Sequence, residues 1–229
     1  MELATALKDY VGRETPLYHA QKLTDHYKNI NGEGPEIYLK REDLNHGGSY
    51  KMNNVIAQAI LAKRMGRKSV ITATSADRHG VATAAAAASE SMREWLGNLE
   101  TEYYLSGTAV GPHPIPTMVR EFNSIIGQET RKQAMEKWGG KPDVLVACVG
   151  SGCNALGLFH EFMSDESVRM IGVEGGGGDE LHCASLVRAS HALAYLEKLC
   201  PTLPRGTKVV VNCCGSGYND APIVLNDMP

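Results

Sequence analysis

Val144-Leu145-Val146-Ala147-Cys148-Val149 runs directly into Gly150-Ser151-Gly152-Cys153-Asn154-Ala155-Leu156-Gly157. An apolar, β-branched run that breaks on glycine and resumes as helix-like sequence predicts a buried parallel strand, a tight turn and a helix. Glycines at such a turn let backbone amides approach an anion closely, and a helix start adds unsatisfied N–H groups, so the turn reads as a phosphate cradle. It lacks the lysine and the spacing of a P-loop, and it is not the dinucleotide fingerprint. A bare tight turn explains the same residues.

A second turn upstream bears on the choice. In Leu39-Lys40-Arg41-Glu42-Asp43-Leu44-Asn45-His46-Gly47-Gly48-Ser49-Tyr50-Lys51-Met52-Asn53-Asn54, a strand-like segment turns through two glycines and brings Lys51 to a helix start. An amine there faces the positive end of the macrodipole, and an aldehyde cofactor requires an unprotonated amine. A solvated surface lysine in a βα loop explains this stretch equally well. The pair of turns together suggests pyridoxal 5'-phosphate, with the aldehyde at Lys51 and the phosphate at Gly150 to Asn154.

Working outward, the pattern alternates. Strands are expected at Ile37–Lys40, Ser69–Thr72, Val144–Cys148, Arg169–Val173 and Lys208–Asn212. Helices are expected at Lys51–Met65, from about His79 through the alanine run, and at Thr117–Trp138, Asn154–Met163 and Leu181–Cys200. Val55, Ile56, Ala59, Ile60 and Ala62 are expected to form the apolar face of the helix after Lys51. Such alternation predicts an α/β fold, an open, mostly parallel sheet with helices on both faces, whose ligands bind at the carboxyl ends of the strands.

Composition sets the class. The chain has 229 residues, 43% hydrophobic content and a formal charge of −3, which fits a globular chain of one large or two small domains. No basic patch points to nucleic acid, and no apolar run is long enough to span a membrane. The N-terminal residues Met1 to Asp9 have neither a signal-peptide core nor transit-peptide character, so a cytoplasmic product is expected. Cys148, Cys153, Cys183, Cys200, Cys213 and Cys214 form no zinc spacing and no metal site is expected. They read as reduced, buried thiols, with thiol chemistry near the site as the alternative.

The chain resembles the tryptophan synthase β subunit, in its plant form, a fold-type II pyridoxal-phosphate family. The matching stretches are Tyr10-Val11-Gly12-Arg13-Glu14-Thr15-Pro16-Leu17-Tyr18, Ile37 to Asn54, His79-Gly80-Val81-Ala82-Thr83-Ala84 and Gly111-Pro112-His113-Pro114. They continue with Arg131 to Gly150, Ser190-His191-Ala192-Leu193-Ala194-Tyr195 and Val209-Val210-Val211-Asn212-Cys213. The resemblance implies β-replacement of L-serine with indole to give L-tryptophan, with Lys51 as the Schiff-base lysine. It implies a cofactor domain from residues 1–50 and 117–229 and a smaller, reduced domain over 51–116. A homodimer, or pairing with tryptophan synthase α or β subunits, and a plastid location for the plant enzymes also follow from it.

Departures from the family are chemical as well as architectural. Blocks of the family's chain are missing after Ala88 and after Gly178, which exposes sheet edges and apolar faces near Ala84–Ala88 and Gly175–Gly178. Ala73 stands where the family carries an acid/base glutamate, a loss on the order of 10² to 10⁴ in rate. Thr74, Ser75, Ala76, Asp77, Arg78 and His79 occupy the loop that binds the substrate carboxylate. Asp77 there would repel a carboxylate by roughly 1 to 4 kcal/mol at about 4 Å, unless Arg78 offsets it. Tyr50, Cys214 and Arg188 replace residues that in the family hold the phosphate, face the pyridine nitrogen and lie near the ring. Three readings stand: a lyase of the tryptophan synthase type, a non-catalytic pyridoxal-phosphate-binding or subunit-pairing paralogue, and a degenerate remnant.

Overall fold

The computed structural model describes residues 2–72, 91, 93–174 and 188–215. A five-stranded sheet forms its centre, in the spatial order β1 (Leu17–His19), β2 (Glu36–Lys40), β7 (Lys208–Asn212), β5 (Val144–Val149) and β6 (Arg169–Glu174). β1 runs antiparallel to β2, and the other three pairings are parallel. The fold is α/β with an open, mostly parallel sheet. β3 (Ser69–Ile71) and β4 (Glu102–Tyr104) pair in parallel as a separate small sheet.

Burial follows from strand position. Val144, Leu145, Val146, Ala147 and Cys148 are all buried, as are Val209, Val210, Val211 and Asn212. A run with no alternation is what a central parallel strand covered on both faces requires. β6 pairs only with β5 among the described residues and is half exposed, consistent with an edge.

The helices refine the sequence reading. α3 (Lys51–Arg64) follows the Lys51 turn. The expected helix Thr117–Trp138 is two helices, α4 (Ile115–Asn123) and α5 (Ile125–Trp138). At the junction the Ser124 hydroxyl donates to Glu121 O at 2.7 Å, and the Ser124 amide bonds to both Arg120 O and Glu121 O, which tightens the last turn. Asn154–Met163 is α6 (Cys153–Phe159) followed by a 3₁₀ turn. Of Leu181–Cys200, the described part is α7 (Arg188–Ala194) and α8 (Leu196–Leu199). The short elements α1 (Glu2–Asp9), β1, α2 (Gln21–His26) and β4 were not expected. The helix expected from His79, and the segments Ala84–Ala88 and Gly175–Gly178, lie outside the described residues.

The face that α3 buries is also not the one its periodicity suggested. Buried are Asn53, Asn54, Ala57, Gln58 and Ala62, whereas Val55, Ile56, Ala59 and Ile60 are only half-buried. Amide side chains occupy the inner face because each meets a built partner there.

α6 meets α5 and α4 through glycine. A Cβ on Gly127 would lie 2.6 Å from Leu158 O of α6, and one on Gly157 would lie 2.8 Å from Asn123 O, the end of α4. α6 approaches both helices as closely as backbones allow, and these contacts fix the position of the Gly150 turn at its head.

Candidate active site

Both glycine turns sit at the carboxyl edge of the parallel sheet and are tied to the same strand end. The Tyr50 amide donates to Cys214 O at 3.1 Å, and Ser49 bridges Gly215 just beyond β7. β5, which feeds the Gly150 turn, pairs with β7 as far as Ala147 opposite Asn212. Residues 212–215 therefore connect the lysine turn to the cradle turn.

The lysine turn is built from its own side chains. Gly47 and Gly48 adopt positive φ, a conformation L-residues avoid. Asn45 Oδ1 accepts the Ser49 amide at 3.0 Å, which closes the loop ahead of α3. Lys51 occupies the first position of α3, is exposed, and its amine forms no hydrogen bond or ion pair among the described residues.

The cradle turn divides into an outer and an inner half. Gly150, Ser151 and Gly152 are at least partly exposed, and Gly152, at φ +83°, has nothing within 4 Å of where a Cβ would stand. Cys153 and Asn154 are buried, and their side chains lock the turn. Asn154 Nδ2 donates to Cys148 O at 3.1 Å, and Asn154 Oδ1 accepts from Asn212 Nδ2 at 2.6 Å. Cys153 Sγ accepts the Ala109 amide at 3.0 Å. A phosphate can thus be met here by backbone amides and Ser151, with Asn154 holding their arrangement from behind.

Tyr50 and Cys214 are both buried in the main core, and Cys214 Sγ lies 3.1 Å from Cys148 Sγ. Arg188 opens α7, but its side chain falls outside the description. Ala73 and the loop of Thr74, Ser75, Ala76, Asp77, Arg78 and His79 also lie outside the described residues. Cys148, Cys153, Cys200, Cys213 and Cys214 are buried and form no disulfide among the described residues. Burial, with Asp43 nearby, pushes the Cys213 thiol up to about 12, so it stays protonated at neutral pH and is packing rather than a nucleophile.

Two supports of the site were not anticipated from the sequence. The first is the segment 106–109. Asn54 Nδ2 and Gln58 Nε2 both donate to Ser106 O at 2.8 Å, and Gln58 Oε1 accepts the Ser106 amide at 3.1 Å. With the Ala109 contact to Cys153, this segment bridges the lysine helix and the cradle turn. Only a Ser-Gly-Thr turn after the strand-like Glu102 to Leu105 could have hinted at it.

The second is a buried charge cluster. Arg13 donates to both oxygens of Glu42 (2.8 and 2.7 Å), to both of Glu129 (2.6 Å each) and to Asn53 Oδ1 (2.7 Å). Lys40 Nζ donates to Glu129 Oε2 at 2.7 Å and Thr15 O at 2.7 Å. Glu42 also accepts from Thr15 and from Asn53 Nδ2. Two cations thus face two carboxylates. Burial would push the Glu42 carboxyl up, but the Arg13 hydrogen bonds and charge hold it below the usual range. Burial lowers Lys40 against the pull of Glu129. Asn53, two residues beyond Lys51, anchors α3 to this cluster.

Residues 9–94 match the family model of pyridoxal-phosphate dependent enzymes, a stretch that contains the charged cluster's Arg13, Lys40 and Glu42 as well as Lys51. Over the whole chain, the fold is similar to the processed form of threonine deaminase isoform 2 from Solanum lycopersicum. That match has a TM-score of 0.62 and 16% identity, covering 98% of this chain and 88% of that one. The cofactor that the matched family implies is pyridoxal 5'-phosphate, and the residues present fit it. Lys51 offers an amine without a competing partner for the aldehyde, and the open Gly150 to Gly152 turn offers backbone amides for the phosphate.

Proposed function

We propose that the chain holds pyridoxal phosphate through Lys51 and the Gly150 turn in a site laid out for β-elimination and replacement on a β-hydroxy amino acid, the chemistry by which tryptophan synthase β joins L-serine to indole, with turnover held near background by Ala73 in place of a proton-transfer group. The observation that carries this reading is the unpartnered Lys51 amine at the strand edge it shares, through residues 212–215, with the glycine cradle. The cofactor, when bound, supplies the electron sink. Lys51 Nζ would hold the cofactor's aldehyde and, as a free amine, would hold and return a proton at the substrate's α-carbon. The Gly150 turn fixes the far end of the cofactor, and the charge cluster fixes Lys51 through Asn53. In this reading the active form is a homodimer or a complex with tryptophan synthase α or β subunits.

A second reading, a non-catalytic pyridoxal-phosphate-binding or subunit-pairing paralogue, is favoured by one observation: Ala73 carries no group able to transfer a proton. Cofactor uptake separates both readings from a relic. Purified protein with added pyridoxal phosphate should develop a visible absorbance band that borohydride fixes to Lys51. Equal uptake by Lys51→Ala would show that another group holds the cofactor.

A further inference from the structure

A half-enclosed cavity of about 370 Å³ lies away from the Lys51 edge, between α3, β4, α4 and the segment 95–99. Its volume falls at the lower end of the roughly 300 to 1,000 Å³ usual for small-molecule sites. Leu61, Met65, Trp95, Leu99, Ile115 and Met118 give it apolar walls. Trp95 and Tyr104 pack on one another in its wall, 5.8 Å between ring centroids.

Two charged side chains break this lining. Arg67 Nε and Glu102 Oε2 are both buried without a hydrogen-bond partner. They form no ion pair with each other or with any other described residue. The lining amide, Gln58, is already committed to Asn54, Ser106 and Tyr103. In the buried cluster, by contrast, charges are matched one for one, Arg13 and Lys40 with Glu42 and Glu129. Arg67 and Glu102 are themselves half-buried, so a cation and an anion line one apolar cavity, each keeping a buried unsatisfied atom and neither having a counter-charge among the described residues, an arrangement that costs free energy until a ligand supplies one.

We infer that this cavity is a binding site for a small zwitterion with an apolar tail, the class of free aliphatic and aromatic α-amino acids. A purely apolar ligand would leave both charges without a counter-charge. An organic anion would satisfy Arg67 and be repelled by Glu102, and an amine would do the reverse. One molecule carrying a carboxylate and an ammonium on a single carbon supplies both counter-charges, while its side chain lies against Leu61, Trp95 and Met118. No residue of the Lys51 or Gly150 turns lines the cavity, so binding here is independent of the cofactor site.

The test uses the full chain without cofactor, with Trp138→Phe leaving Trp95 as the remaining tryptophan. Titration with L-phenylalanine and with L-leucine should change Trp95 fluorescence saturably, and calorimetry should give the same constant. Lys51→Ala should bind equally. 3-Phenylpropionate and 2-phenylethylamine, each lacking one charge, should bind at least about ten-fold more weakly, as should Arg67→Met and Glu102→Gln toward the amino acids. Failure of both amino acids to saturate would overturn the inference, as would a one-charge analogue binding as tightly as L-phenylalanine. Loss of binding in Lys51→Ala would move the site to the catalytic edge and overturn it too. Because the analogue comparison uses the unaltered cavity, a variant that fails to fold leaves the test intact.

Discussion

Glu42→Gln should destabilise the chain by about 3 to 5 kcal/mol, the usual result of breaking a buried ion pair by removing one partner. The structure supports the upper part of that range. Glu42 is fully buried and accepts four donors, two from Arg13 and one each from Thr15 and Asn53. A carboxamide keeps one acceptor oxygen and adds an NH₂ that points at donors. At least two donors are then stranded, at about 1 to 3 kcal/mol each. The cluster is left with two cations and one carboxylate. Against a total of about 5 to 15 kcal/mol, the loss is readily measured by urea unfolding at an unchanged slope. Arg13→Met with Glu42→Gln leaves Lys40 facing Glu129, a balanced pair, so the double variant should be more stable than the sum of the singles predicts, by about 2 kcal/mol. The acid limb provides a second check. Glu42 has its folded pKa held below the ordinary 4.5, so its contribution is complete above that value and drains as pH falls through the folded value. Glu42→Gln should flatten stability loss below about pH 4.5. Additive single variants, or a Glu42→Gln cost under about 1 kcal/mol, would refute the charge-balance argument.

With serine and indole, tryptophan formation should lie near background, because Ala73 supplies no general acid or base, a loss of about 10² to 10⁴. Product formation assayed by chromatography decides it, and robust turnover would restore the full enzyme reading. Gly157→Ala should lower stability by about 1 to 3 kcal/mol through overpacking against Asn123, less up to about 1 kcal/mol of helix propensity, whereas Gly97→Ala, with nothing within 4 Å, should be neutral. Thermal melts of the two variants side by side would expose any error in the packing of α6 on the end of α4.

The strands that carry the cofactor edge were readable because burial on both faces leaves an unbroken apolar run, as in Val144 to Val149 and Val209 to Val211. Three-residue strands such as Leu17–His19 leave no such trace. The Ser124 break was invisible because no proline or glycine marks it. Lys51 and the Gly150 turn were legible since their chemistry is local. Asn54, Gln58 and segment 106–109 were not, because a buried amide looks like a surface one until its partner, about fifty residues away, is known. The apolar stripe of α3 misled for the same reason: the inner face is occupied by amides whose cost of burial is met by distant carbonyls and carboxylates.

The charge cluster also has a kinetic side. Arg13 meets Glu129 across 116 residues of sequence, and Lys40 meets it across 89. Neither cation can be taken out of water before that carboxylate arrives, and loop closure over such lengths precedes any return. Sealing of the cluster therefore falls on the native side of the main folding barrier. Substitutions within it should leave the refolding arm of a chevron nearly in place and raise the unfolding arm. The residues that hold α3, and with it Lys51, would then set how long the native state persists rather than how quickly it forms.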